Sequence, residues 1–145
     1  MAMKYVCGVL LLTTLVPFSG GGALASKWVV AHLEAMEYPG TAARSGAEGT
    51  VILECKLSED GRVDKVEVVR APGTSAGHSA LVKAAKQNAS TWGFRMLKES
   101  GMLPETVRLT YEFRVDSGCV RSRRCVSRFT YRFPDRVTVG LERWE

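Results

Sequence analysis

The stretch TVILECKLSEDGRVDKVEVVR, residues 50–70, reads as two β-strands joined by a tight turn. In its first half Val51, Leu53, Cys55 and Leu57 point one way, while Thr50, Ile52, Glu54 and Lys56 point the other. That two-residue period is the mark of a strand with one buried face. Asp60-Gly61 then signals the turn, because glycine supplies the positive φ that a tight hairpin requires. On the return strand Val66 and Val68 are expected on the buried face, against Lys65 and Glu67. Val63 breaks the alternation, so a bulge or a late strand start is expected there.

Downstream, Pro72-Gly73 closes the hairpin, and Ser75 or Thr74 caps a helix. Leu81, Ala84, Ala85, Asn88 and Trp92 fall on one helical face, with alanines that let a helix lie close to a sheet. Gly93 stops the helix, and residues 95–106, with Gly101 and Pro104, are expected to be a loop. A third strand follows from Val107 to Val115, with Val107, Leu109, Tyr111, Phe113 and Val115 on one face. Upstream, the spacing of Val29, His32 or Leu33, and Met36 predicts a helix over Trp28–Met36, capped by Ser26 and ended by Pro39-Gly40. A further helical turn is expected at Thr41–Ser45.

Four short motifs punctuate this β-β-α-β series: Tyr38-Pro39, Glu48-Gly49-Thr50-Val51, Asp60-Gly61-Arg62-Val63 and Trp92-Gly93-Phe94. In this order and spacing the chain resembles the C-terminal domain of the TonB family, from about Tyr38 to Val115. The resemblance implies an α+β fold, an antiparallel β-β-α-β sheet packed on one main helix, with the third strand beside the first. It also implies a domain that grips an extended peptide of an outer-membrane receptor at the edge of the third strand, through main-chain hydrogen bonds. Transducers of that family keep an N-terminal membrane helix and a long proline-rich spacer. Here Ser26–Glu37 lies between the leader and the domain, and reaches at most about 40 Å when extended.

The leader is residues 1–25, which read as an export signal: Lys4, an apolar stretch from Tyr5 to Phe18, and Ala23-Leu24-Ala25 as cleavage site. The alternative is a retained anchor, since Tyr5–Ala25 carries no charge and is just long enough to span a bilayer. Cys7 lies too early to be a lipidated cysteine. Residues 26–145 form one domain, a family core at 38–115 and added strands at 116–145. Export places Cys55, Cys119 and Cys125 in an oxidising compartment. Cys55 reads as a small core residue. Joining Cys119 to Cys125 sets Val115 against Phe129, Phe113 against Tyr131, Tyr111 against Phe133 and Glu112 against Arg132. A disulfide-linked hairpin is therefore expected, with Val126–Phe133 as fourth strand and a stabilisation of about 2 kcal/mol. A turn at Pro134-Asp135-Arg136 then sets Val137, Val139 and Leu141 against Phe133, Tyr131 and Phe129, making an all-antiparallel sheet of about five strands. Metal binding by the two cysteines is the alternative, with no histidine nearby to complete a site.

No catalytic set is apparent. His32 and His78 lie in no metal-binding or nucleophile-base spacing, and Asp60 and Asp64 read as solvated. Gly20–Gly22 introduces no helix, as a phosphate loop would. Neither enzyme activity, cofactor, metal nor small-molecule substrate is expected. Nineteen basic residues beyond Lys4 stand against 15 acidic ones, a net charge of +4. They are spread along the strands and cluster only at Arg121, Arg123 and Arg124, so nucleic acid is not expected as a partner.

These readings converge on a periplasmic or secreted TonB-like binding or scaffolding domain that takes a protein or peptide of the cell envelope by strand addition. A second copy of the chain is the other occupant considered. The candidate edge is Val137, Thr138, Val139 and Leu141, or the outer edge of Val66–Arg70. The family's own edge is Val107, Leu109, Tyr111 and Phe113. Two alternatives stand beside this reading: an inner-membrane-anchored energy transducer that uses that third-strand edge in transport, and a structural envelope protein whose arginine cluster touches the cell wall.

Overall fold

The computed structural model describes residues 28–98, 101–120 and 124–144. The expected leader, Ser26, Arg121 and Arg123 lie outside the described residues. In chain order the elements are β1 (Trp28–His32), α1 (Gly40–Ser45), β2 (Gly49–Leu57), β3 (Val63–Arg70), α2 (Ala76–Ala89), β4 (Gly93–Met96), β5 (Thr106–Val115), a 3-10 turn (Ser117–Cys119), β6 (Cys125–Arg132) and β7 (Arg136–Arg143). Five strands form one sheet in the order β3-β2-β5-β7-β6, and β1 pairs with β4 in a second, two-stranded sheet. The architecture is α+β, a mixed sheet on one main helix.

The central hairpin follows its sequence pattern. Val51, Leu53, Cys55 and Leu57 of β2 are all buried. Gly61 at the turn has φ +83°, and its carbonyl accepts the Phe94 N–H at 2.8 Å. A Cβ there would collide with the Phe94 carbonyl, so only glycine allows this approach. The irregularity expected at Val63 is a bulge: Leu57 pairs with Val63, but Lys56 pairs with Lys65, leaving Asp64 extra. A second bulge separates the Ile52–Arg70 and Leu53–Val68 pairs. Val66 is half-buried as expected, whereas Val68 is 41% exposed. On an edge strand, side chains have strand neighbours on one side only.

Helix α2 begins at Ser75, whose Oγ accepts the His78 N–H at 3.2 Å. Leu81, Ala85, Asn88 and Ala89 are buried on its sheet-facing side, and Trp92 follows at 1% exposure. Against them stand Val107, Leu109, Tyr111 and Phe113 of β5 and Val137 and Val139 of β7. Burial of large apolar side chains of this kind stabilises a fold by about 1.5–3 kcal/mol each.

Three expectations are corrected. Residues 28–32 are a strand, because the aromatic Trp28 and the β-branched Val29-Val30 favour extended backbone and β4 offers them a ladder. Beyond the strand, Leu33 and Met36 pack against the core. Residues 95 and 96, expected in a loop, belong to β4.

The third correction concerns the tail. β5 pairs with β7, not with Val126–Phe133, and the pair is parallel, from Thr110–Arg136 to Val115–Leu141. β6 pairs antiparallel with β7 and lies outside it. The start of β6 thus lies two strand positions from β5, about 10 Å at the usual inter-strand spacing of nearly 5 Å. β7 then returns into the gap. The hairpin register is also displaced by two residues: Tyr131 faces Val137 and Phe129 faces Val139, around a turn at Phe133–Asp135. A displacement of two keeps every side chain on its expected face. The disulfide forms as expected, Cys119 to Cys125 with Cα atoms 5.8 Å apart, and staples the crossover.

Candidate partner-binding edges

The first candidate edge is closed, and the second is closed from Thr110 onward. Val137, Thr138, Val139 and Leu141 lie on β7, which is hydrogen-bonded on one side to β5 and on the other to β6. Val137 and Val139 are fully buried. Val107, Leu109, Tyr111 and Phe113 lie on β5, which β2 pairs over Thr106–Phe113 on one side and β7 pairs over Thr110–Val115 on the other; Val107 and Leu109 thus have no partner in β7, and all four are core residues. Among the described residues the outermost strands of the large sheet are β3 and β6, and the outer side of each has no strand partner.

These edges differ in regularity. β3 is broken by two bulges, and carries Lys65 and Glu67 in an ion pair at 2.6 Å with both side chains largely exposed. Bulges and charges are the usual means of blunting an edge against pairing. β6 holds one unbroken register with β7 over eight residue pairs, from Cys125–Arg143 to Arg132–Arg136. Its side chains alternate without exception, half-buried Cys125, Ser127, Phe129 and Tyr131 against exposed Val126, Arg128, Thr130 and Arg132.

The inner face of β6 is anchored at several points. Tyr131 packs edge-on against Trp92, ring centres 5.4 Å apart, and its hydroxyl donates to the Pro134 carbonyl at 3.1 Å. Burial raises the Tyr131 pKa, with a smaller contribution from the Asp135 charge. Ser127 Oγ accepts the Tyr38 N–H at 2.7 Å, joining the edge strand to the segment before α1. Tyr38 itself stacks edge-on against Phe113 at 5.7 Å and donates from its hydroxyl to the Ala47 carbonyl. On the outer face Arg128 forms an ion pair with Glu142 at 2.7 Å. β6 is thus a strand of unbroken register held from within, whose outer side has no strand partner among the described residues.

The chemistry available elsewhere is small. Among the described residues no group of three or more His, Cys, Asp and Glu side chains could hold a metal ion. His78 is bonded to Ser75, and His32 reaches Glu34 at 3.5 Å on the surface. Cys55 is a free, fully buried thiol whose pKa is pushed up to about 12 by burial and by the Glu54 charge, so it stays protonated. Among the described residues no helix is long and apolar enough to cross a membrane.

The sequence reading missed β6 as the edge, although a signal was present. Residues 137–141, VTVGL, carry no charge on either face, as an interior strand does, while 126–132 place arginine at every second outward position after Val126.

The family described as Gram-negative bacterial TonB protein C-terminal matches residues 34–115, more than half of the chain. A solution NMR structure of the Pseudomonas aeruginosa TonB CTD is similar at 22% identity and a TM-score of 0.45, covering 61% of this chain and 84% of that one. No curated protein matches the chain. The match over residues 34–115 contains the two-stranded hairpin, α2 and β5, and the chain belongs to the TonB C-terminal domain family.

Proposed function

We propose that the protein is a non-catalytic periplasmic binding domain, released after cleavage of residues 1–25, that takes an extended segment of an envelope protein by strand addition at the outer edge of β6. Membership of the TonB C-terminal family supports a protein-interaction role in general. The observation that carries the choice of edge is the unbroken eight-pair register of β6, opposite a β3 edge broken by two bulges. Strand addition draws its affinity from a row of main-chain donors and acceptors, which only a regular edge presents in step. The energy-transducer reading requires the edge of β5, and β7 fills the Thr110–Val115 part of that edge over six consecutive pairs.

The test is a titration of ¹⁵N-labelled protein with extended peptides taken from periplasmic segments of outer-membrane receptors. Expected are shifts and slowed amide exchange concentrated in Cys125–Arg132. Changes at Thr106–Val115, with loss of protection in β7, would instead support the transducer reading. Shifts in β6 that grow with protein concentration alone would assign the edge to a second copy. No change in β6 with any peptide, and a monomer throughout, would sink the proposal.

A further inference from the structure

The phase of the β6–β7 ladder fixes which groups the outer edge of β6 presents. In an antiparallel pair, residues alternate between those that exchange main-chain bonds with the partner and those that turn them away. The Trp144 N–H donates to the Arg124 carbonyl at 2.8 Å, and those two positions continue the register that sets Cys125 against Arg143. Val126, Arg128, Thr130 and Arg132 therefore direct their main-chain groups at β7, whereas Cys125, Ser127, Phe129 and Tyr131 turn theirs to the outer edge. The same alternation sorts the side chains. Those of the second set are half-buried on the core side, and those of the first are exposed on the open face. A strand added outside β6 places each side chain on the face of the β6 residue opposite it. Its residues opposite Phe129 and Tyr131 thus lie on the core side, beside two half-buried aromatic rings. Its residues opposite Arg128 and Arg132 lie on the open face.

That open face lacks negative charge at one place. Arg132 stands directly opposite Arg136 on β7. Arg136 reaches Glu112 of β5 at 3.7 Å, but Glu112 already holds Arg114 at 2.8 Å. Among the described residues Arg132 forms no ion pair. Like charges directly opposed across a ladder are unfavourable, and a carboxylate beside them relieves the repulsion. Arg128, by contrast, is bound to Glu142 at 2.7 Å. The other carboxylates around the strand are Asp116, which accepts the Gly118 N–H, Asp135 in the turn after β6, and Glu37 beside Tyr38. The remaining cations strengthen the imbalance. Arg124 leads into β6, Arg143 is paired with Cys125, and Arg121 and Arg123 precede Arg124 in the sequence.

Resting on strand addition at this edge, we infer that β6 selects an extended segment in which acidic and apolar residues alternate. An acid stands opposite Arg132 and a second opposite Arg128, with apolar side chains opposite Phe129 and Tyr131. The Arg132 position contributes most, since Arg128 already has a carboxylate. The pattern acid, apolar, any, apolar, acid reads the same in both directions, so it holds for parallel and for antiparallel addition. β6 contains no acidic residue, so no register of a second copy's β6 supplies the missing carboxylate.

The experiment titrates the ¹⁵N-labelled protein with two capped peptides, Thr-Glu-Val-Thr-Val-Glu-Thr and its counterpart with both glutamates replaced by lysine. The acidic peptide is expected to shift Cys125–Arg132 and to bind about tenfold or more tightly than the lysine peptide. That preference should shrink as salt is added. Arg132→Glu should cut it several-fold, and because Arg132 is exposed and forms no ion pair among the described residues, the variant keeps its fold. Equal affinity of the two peptides at β6 overturns the charge preference and leaves strand addition standing. A preference that Arg132→Glu does not change overturns it as well. No shift in β6 with either peptide removes the strand-addition reading itself, and the selectivity with it.

Discussion

Asn88 Oδ1 accepts the Tyr111 hydroxyl at 2.8 Å, and through that bond the main helix is tied to the middle of β5. The same oxygen accepts the Trp92 Nε1–H at 3.1 Å, while Asn88 Nδ2 donates to the Glu34 carbonyl at 2.7 Å. Among the described residues Asn88 is the one buried side chain of polar or charged type, and it satisfies two donors and one acceptor. Among the described residues no buried side-chain polar atom is left without a partner. One amide thus joins the helix, the sheet and the segment that runs over the core towards β6.

Replacing Asn88 with leucine should therefore cost far more than its lost hydrogen bonds. Tyr111 and Trp92 would each keep a buried donor with no acceptor, at about 1–3 kcal/mol per unsatisfied group. A loss of about 3 kcal/mol or more is expected for Asn88→Leu in urea denaturation, seen as a lower midpoint at unchanged slope. Tyr111→Phe removes a donor without orphaning Asn88, and should cost about 1 kcal/mol. Equal costs for the two variants would show that the network is not centred on the amide.

Stability should fall in alkaline solution, and Cys55 should be a main cause. Burial, helped by the Glu54 charge, pushes its pKa up from 9.0 to about 12. Burial raises Tyr111 and Tyr38 as well. In each case the folded state holds its proton more tightly than the unfolded chain. The contribution is fully present below the unfolded pKa and is lost as the pH rises through the folded one. For Cys55 that window runs from pH 9 to about 12. Unfolding free energy measured at intervals over pH 8–11 should decline above pH 9, and Cys55→Ala should flatten the decline. Identical slopes in the two proteins would remove Cys55 from the account.

Much of this fold was legible because its signals are local. The alternation of Val51 to Leu57 and of Val107 to Phe113, the Asp60-Gly61 turn and the Ser75 cap each depend on a few neighbouring residues, and each stands where its pattern indicates. Trp28–Met36 misled because its apolar residues fit a helical spacing, while the strand is selected by a partner more than sixty residues away at Gly93–Met96. The same distance limit explains the tail. Cross-strand matching found which residues share a face, since a displacement of two preserves it. It could not choose between β6 and β7 as neighbour of β5, because both place apolar residues at alternate positions. What separates them is the uncharged second face of residues 137–141, and that decided which edge of the sheet stays open.

The disulfide should matter locally more than globally. It closes a short loop, with a sequence separation of six, so its contribution to stability should be about 2 kcal/mol. Its place in the fold is the crossover that sets β6 outside β7. Two main-chain bonds link this region to the end of β7 and the residue after it: the Asp116 N–H to the Leu141 carbonyl at 2.9 Å, and the Trp144 N–H to the Arg124 carbonyl at 2.8 Å. With Cys119 and Cys125 both replaced by alanine, hydrogen exchange should quicken in Cys125–Arg132 and Arg136–Arg143, while Gly49–Leu57 keeps its protection. Peptide-resolved mass spectrometry of the two proteins would show this difference directly. Equal acceleration in β2 and in the tail strands would mean that the tail and the family core unfold as one unit, and that the staple holds the whole sheet instead of its added edge.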